Sequence, residues 1–496
     1  MSNKNKILFF SRCDLPKLYG RLHKYLENHF EVMHLAYSDR EASVLQKDFK
    51  ISDVINFKNK TEEIFKTETL DIQLCERIDK EIIASTNGRF CLNSAIQSDR
   101  TFQFINYEEC LILCQVYYKF WQNLIKDQGF NIIIHEPTAL FFTQIAAVLC
   151  KMHGGKYLSQ IQMKGEDKYN WLFVEGDDGT PIELNGLLKK GKNLTQEENA
   201  RVKAFLNEFR ADKTVFFNQI SQKGRVKGQE KVLSFFVHLV KTVLKRTLKY
   251  KIGGKRKDFS SIDHMEKFYF NYDKMSLKYR LIEKWEKYFK LEFDVFDSSL
   301  NYYYYPMHLE PEAVVLYWGD GLYKNQIKLI ENIAAQLPPG NYLLVKDHPH
   351  AGLNRHFRDY KRIKAIPNVK LLNPTIPGKE IAKEAKGVIT INGTGGFEAI
   401  LFNKPVYTFG NSFYKECKRA FYVNNIKELR TLLYSHQNYS SHDDSDLYEF
   451  IFGYLNSLHK GFVSYFSNRA TLFNVDEETN AKQISESIIR LLKNGN

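Results

Sequence analysis

Two short segments carry the residue types that nucleotide chemistry requires. Tyr342–Val345 is an apolar run that stops on Lys346-Asp347-His348-Pro349-His350, and Val388–Ile391 stops on Asn392-Gly393-Thr394-Gly395-Gly396-Phe397-Glu398. The first reads as a buried strand ending in charge and an imidazole, the second as strand, glycine turn and helix start. A helix start leaves backbone N–H groups without partners and carries partial positive charge, and glycines let the backbone approach a ligand closely. A phosphate fits there, and a carboxylate in the first helical turn, here Glu398, suits ribose hydroxyls. Lys346, Asn392, Gly393, Thr394, Gly395, Gly396 and Glu398 are therefore read as the nucleotide-binding set. His348, stiffened by Pro349, is placed to meet charge on a departing phosphate. His350 reads as an ordinary loop histidine.

Transfer of a group from a nucleotide also needs a carboxylate near the reacting carbon. Glu136 is the first candidate, because it follows the apolar run Ile132-Ile133-Ile134 and precedes Pro137 and a helical stretch. At a strand end aimed into a crevice it would act as nucleophile in a double displacement or as base toward the acceptor hydroxyl. The competing reading is a carboxylate that only stabilises the following helix start. Arg12 and Asp14, on the first strand-end loop, and Glu310 and Glu312 are further candidates. No cluster has metal-ligand spacing, so neither a metal nor a cofactor is expected.

Alternating buried strands and helices must position these groups. Residues 6–10, Glu31–Leu35, 130–134 and 156–160 read as strands of a parallel sheet, with helices through about Asn28 and over Thr138–His153. Lys168–Val174 with the turn Glu175–Gly179 reads as a hairpin and Thr195–Phe209 as a helix. Beyond the aromatic run Tyr302–Tyr305, Ala313–Trp318, Tyr342–Val345, Val369–Leu371 and the Val388 segment read as strands. Asn325–Gln336, His356–Lys364 and Ile376–Ala385 read as helices between them. The expectation is an α/β chain of two Rossmann-like domains: 1–300 with a helical, basic insertion, 301–475 holding the nucleotide, and 476–496 as a terminal helix.

In order and spacing, Tyr305-Pro306-Met307-His308-Leu309-Glu310-Pro311-Glu312-Ala313, then Lys346-Asp347-His348-Pro349, then Asn392-Gly393-Thr394-Gly395-Gly396-Phe397-Glu398 resemble the capsule polysaccharide biosynthesis family. That family includes retaining β-Kdo transferases of GT-B fold, two Rossmann-like domains facing a cleft. The resemblance covers about residues 300–415. It implies a glycosyltransferase taking a CMP-linked sugar, Kdo among the choices, to a polysaccharide or lipid-linked glycan. It also implies that Glu312 lines the cleft and that the terminal helix crosses back to the N-terminal domain. Glutamate at 310, where relatives often carry glutamine, and the absence of an arginine-glutamate-aspartate-glycine segment depart from the Kdo-transferring pattern. Teichoic-acid type transfer of a polyol phosphate from a CDP-activated donor, and a non-catalytic polysaccharide-binding or export component, stay open as alternatives.

Composition fits a two-domain chain. The 496 residues are too many for one ordinary core, and 43% hydrophobic with 14% aromatic content can fill two. Seven cysteines, an odd number without a CxxC pair, point to a reduced, cytoplasmic protein. Only four apolar residues follow the first lysines, so neither a signal peptide nor a membrane span is expected. The net charge of +13 calls for an acidic partner. Its densest source, 225–257, sets Val232, Phe235, Phe236, Leu239, Val240, Val243 and Leu244 at helical spacing among lysines. That pattern suits either an anionic membrane surface, with the protein peripheral on the inner face, or packing on the chain's own domain. No nucleic-acid motif accompanies it.

Overall fold

The computed structural model describes residues 5–189, 193–211, 261–268, 292–319, 321–348, 355–436, 444–465 and 469–494. The basic stretch 225–257, Pro349 and His350 lie outside them.

Two sheets organise the chain. The N-terminal strands are β1 (Lys6–Ser11), β2 (Glu31–Ala36), β3 (Val54–Asn56), β4 (Ile132–His135), β5 (Lys156–Met163) and β6 (Asn170–Glu175). The C-terminal strands are β7 (Tyr302–Pro306), β8 (Tyr342–Lys346), β9 (Val369–Leu372), β10 (Gly387–Thr390), β11 (Val406–Thr408) and β12 (Ala420–Tyr422). The first sheet runs β6-β5-β4-β1-β2-β3 and the second β12-β11-β10-β7-β8-β9. Apart from the antiparallel β5–β6 pair, all these neighbours are parallel. Both orders reverse direction beside their first strand, between β1 and β4 and between β7 and β10. In doubly wound sheets the ligand crevice opens at that reversal, beyond the strands' carboxyl ends.

Tyr302–Tyr305 is the central strand of the second sheet, whereas Ala313–Trp318, expected as a strand, is a π-helical turn over Val314–Trp318. The tyrosines alternate between the cores on the two sheet faces, Tyr302 and Tyr304 on one and Tyr303 and Tyr305 on the other. A strand buried on both faces carries no polar alternation, so its pattern is indistinct. In the π turn, Leu316 and Tyr317 pack into the N-terminal core while Val315 stays in the C-terminal one. Bridging two cores overrides the local preference of its β-branched residues for a strand. The hairpin is also formed differently: β6 pairs with β5, upstream, and the Glu175–Gly179 turn leads only to a single bridge, Val174 to Pro181.

Several of the described segments pack from one half onto the other. The helix Gln196–Ala211 buries Val202, Phe205, Leu206 and Phe209 in the C-terminal core, at about 1.5–3 kcal/mol for each large side chain. After the second sheet, a short strand β13 (His459–Lys460) adds antiparallel to β6. The last helix, Glu477–Asn494, then packs Ala481, Ile484, Ile488 and Leu492 beside Leu15, Leu18, Leu22 and Leu26 of the helix Leu15–Leu26. Lys24 and Glu478 pair at 2.6 Å across that contact, and Arg21 pairs with Glu477.

Candidate active site at the two sheet reversals

On the C-terminal side, β10 runs into Asn392 and Gly393, and the helix Thr394–Leu401 begins. Gly393 has φ +101°, a conformation open chiefly to glycine, and a Cβ there would stand 3.3 Å from His308 Cε1. At Gly396 a Cβ would fall 2.1 Å from Tyr414 Oη, so the helix can start against that tyrosine only without a side chain. Asn392 turns inward: its amide donates to Asn411 O, and its Oδ1 accepts from Gly393 N at 2.5 Å. It shapes the turn, whereas Thr394 and Gly395 are only half-buried at the helix start.

Glu398 lies one turn into this helix, buried at 6% exposure. Burial pushes its carboxyl up to about 7, against the pull of Lys379, Lys346 and Lys164. Lys346 is equally buried, and its Cε comes 3.9 Å from where a Cβ on Gly378 would stand. Lys379 Nζ donates to Phe209 O at 2.7 Å and sits 3.9 Å from the Phe209 ring centre, so the helix Gln196–Ala211 helps hold this cation. A carboxyl with a raised native pKa holds its proton more tightly folded than unfolded. That stabilisation is complete below the unfolded value of roughly 4.5 and is lost as pH rises through about 7. Denaturant titrations at pH 5 and pH 8 should therefore show Glu398→Gln gaining on wild type by about 2.5 kcal/mol at the higher pH. A gap that stays constant with pH would contradict a proton on this carboxyl.

At the other edge of the reversal, the loop after β7 is braced by charge. Arg355, 3% exposed, pairs with Asp347 at 3.1 Å and Glu310 at 3.0 Å and donates to His308 O. Tyr360 Oη donates to Asp347 Oδ2 at 2.5 Å, and Gln326 Nε2 to Glu310 Oε1 at 2.5 Å. Glu310, considered above as a reacting carboxylate, is thus a strut of this loop. His308 Nε2 lies 3.2 Å from Thr390 Oγ1 and 3.5 Å from Asn392 N, and burial pushes its pKa down to about 3. The imidazole stays neutral beside the glycine turn. His348, half-buried, follows Asp347, whose carboxylate accepts from the His348 backbone N–H at 2.7 Å. Its ring is close enough to His308 for their charges to couple.

On the N-terminal side, Glu136 stands just past β4, and Arg12 just past β1. Arg12 Nη2 is 3.9 Å from Glu136 Oε2, while Glu136 Oε1 is buried without a hydrogen-bond partner among the described residues. Burial raises the Glu136 carboxyl above its ordinary pKa, opposed by Arg12 and Arg100. Glu312 opens the π turn, its backbone oxygen accepting from Val315 N at 3.2 Å and Leu316 N at 3.1 Å. Its carboxyl is pushed up to about 7 by burial, and Arg100 again opposes. One arginine therefore feels both carboxylates across the two halves. Asp14 instead pairs with Lys17 at 3.5 Å and Arg40 at 3.9 Å. His135 is buried, its Nδ1 2.7 Å from Phe10 O and its ring stacked on Phe10, and its pKa is pushed down to about 3. It ties β4 to β1.

The structure thus gathers Lys346, His348, Asn392–Gly396 and Glu398 around one reversal, and Glu136 and Glu312 around Arg100. Sequence reasoning missed Arg100, Arg355 and His308 as site residues. His308 lay within the quoted Tyr305–Ala313 run, the one available signal. Among the described residues no group of three or more acidic, histidine or cysteine side chains is arranged to hold a metal ion. No described helix is long and apolar enough to cross a membrane.

Two largely parallel, Rossmann-type sheets in one chain, each reversing order beside its first strand, define the GT-B class of fold. Residues 257–417 match the family model described as Capsule polysaccharide biosynthesis protein, and the resemblance read from the motifs is to that family. The Capsule polysaccharide export protein KpsS of Escherichia coli is 31% identical over 91 residues, 18% of this chain and 23% of that one. The Capsule polysaccharide modification protein LipB of Neisseria meningitidis serogroup A is 28% identical over 93 residues, 18% and 22% of the two chains. The matches therefore span about a quarter of the relatives' length. Among solved structures, Thermosulfurimonas dismutans KpsC, beta Kdo 2,4 transferase, overlays with TM-score 0.38 at 14% identity, over 67% of this chain and 82% of that one. The fold assignment rests on the strand order given above.

Proposed function

We propose that this chain is a glycosyltransferase that moves a sugar from a cytidine-activated nucleotide donor to a cell-surface polysaccharide or glycolipid acceptor. The observation that carries the reading is the glycine-opened helix with its buried Glu398, together with Glu136 and Glu312, two carboxyls raised by burial that both feel Arg100. The nucleotide's phosphate is taken by the N–H groups at Gly393–Gly396, and its ribose by Glu398. His348 and Lys346 meet the charge that develops as the phosphate leaves. Glu136 acts on the anomeric carbon or the acceptor hydroxyl, and Glu312 contacts the sugar. The sequence relatives, named for export and modification of capsule polysaccharide, support a capsule glycan as acceptor. Kdo is one donor sugar among those the motif resemblance allows, with the departures at Glu310 and in the missing arginine-glutamate-aspartate-glycine segment against it, and 225–257 is the segment proposed to rest on an anionic membrane surface.

Calorimetric titration with cytidine monophosphate tests the donor half. Wild type is expected to bind, and Glu398→Ala to bind at least about tenfold more weakly, since a ribose-to-carboxylate hydrogen bond contributes roughly 1.5–3 kcal/mol. Equal affinities would remove Glu398 from the nucleotide site.

A further inference from the structure

Arg100 stands between the two halves on a loop that is clamped on either side of it. It follows the helix Leu92–Ser98 and precedes the short turn Phe102–Phe104. Asp99 Oδ1 accepts from Thr101 N at 2.8 Å and Thr101 Oγ1 at 2.5 Å, and its Oδ2 accepts from Phe141 N at 2.7 Å. Thr101 Oγ1 is 2.7 Å from His264 Nδ1, and Tyr117 Oη is 2.6 Å from His264 Nε2. Asp99, Thr101, Tyr117 and His264 are all buried. Such a network holds the backbone of the residue between Asp99 and Thr101, so Arg100 loses little freedom when it binds something.

Its surroundings indicate what it binds. Nη1 donates to Pro311 O at 3.3 Å, and among the described residues the guanidinium makes no other hydrogen bond. The contact between halves is fixed alongside it, where Lys324 Nζ donates to Gln97 O at 2.8 Å. A guanidinium has five N–H donors in a planar fork that matches a carboxylate or phosphate with two parallel bonds. Arg12, also buried, is a second cation on the same wall, 3.9 Å from Glu136. Both nearby carboxylates, Glu136 and Glu312, hold their protons more tightly than usual because of burial. Two guanidinium groups so placed offer an anion charge-assisted hydrogen bonds.

We propose that Arg100 is an anion-binding residue of the donor site, taking an oxyanion of the donor across the crevice from the helix Thr394–Leu401. This rests on the donor reading above. The shared chemistry is a planar or tetrahedral oxyanion, and its two possible sources are the nucleotide phosphate and a carboxylate on the sugar.

The full chain and its Arg100→Ala and Arg100→Lys variants, each checked for an unchanged circular dichroism spectrum, are titrated with two probes. One is cytidine monophosphate and the other CMP-N-acetylneuraminate, which adds a sugar carboxylate. Removing one charge-assisted pair is expected to weaken binding about 10- to 100-fold, with lysine recovering part of the loss because it keeps the charge without the fork. Weakening toward both probes assigns the phosphate, and weakening toward the second alone assigns the carboxylate. Unchanged affinity for both overturns the proposal. If wild type binds neither probe, the cytidine reading fails, and the anion site is judged with sulfate and oxalate. Thermal stabilisation of wild type that Arg100→Ala loses keeps the site, because an ion bound only by the folded state raises its melting temperature. Equal stabilisation of both proteins, or none of either, overturns it.

Discussion

Glu136→Gln is expected to lower sugar transfer by about 100- to 10,000-fold while leaving affinity for the nucleotide within a factor of two or so. Glutamine keeps the size of the side chain but serves neither as nucleophile nor as base. The groups proposed to bind the nucleotide, Gly393–Gly396 and Glu398, belong to the other sheet, so donor affinity should not depend on the Glu136 carboxylate. The carboxylate is set up for reaction: one oxygen is buried and unpartnered among the described residues, and Arg12 stands 3.9 Å from the other. Steady-state transfer assays on the full chain, with nucleotide affinity measured separately, check this. Near-normal turnover would exclude both roles and redirect attention to Glu312. Intact-mass analysis of trapped protein then chooses between roles, since a sugar adduct on Glu136 means double displacement.

The second large effect concerns stability. Arg355→Leu should destabilise the fold by about 3–5 kcal/mol, the usual cost of leaving one partner of a buried ion pair alone. Asp347, 1% exposed on its side chain, would lose its cation, and Glu310 and the His308 carbonyl would lose the group that joins them. Because this network braces the loops after β7 and β8, the loss should fall on the C-terminal half. Urea denaturation of both proteins measures it. A difference under about 1 kcal/mol would mean that solvent, not Arg355, neutralises Asp347.

The contrast between Glu136 and Arg355 also shows which positions a local reading of the chain can place. Glu136, His348, Lys346 and the glycine turn were legible because each ends an apolar run, and a run that stops on polar residues marks a strand's carboxyl end. The turn was legible for a stronger reason: Gly393 at φ +101° and Gly396 against Tyr414 are positions where the backbone tolerates no Cβ. Glu310 looked like a reacting carboxylate until its partners were known. Its role is set by Arg355 and Gln326, which are distant in the chain, and no spacing rule relates them.

The same distinction separates the elements. Residue order alone settled that strands and helices alternate, that two sheets result, and that a glycine turn and helix start follow a strand end in the second half. Hydrophobic period and glycine position are local properties, and they act before the chain has folded. Tertiary structure decided that Tyr302–Pro306 is the central strand and that Val314–Trp318 coils into a π turn, because both outcomes depend on which core each side chain enters. It also decided that the helix Gln196–Ala211 packs on the C-terminal half and that β13 returns to the first sheet. Above all it brought Arg100 to Pro311 and within reach of both Glu136 and Glu312. Long-range packing energies choose such meetings, and no window of neighbouring residues contains them.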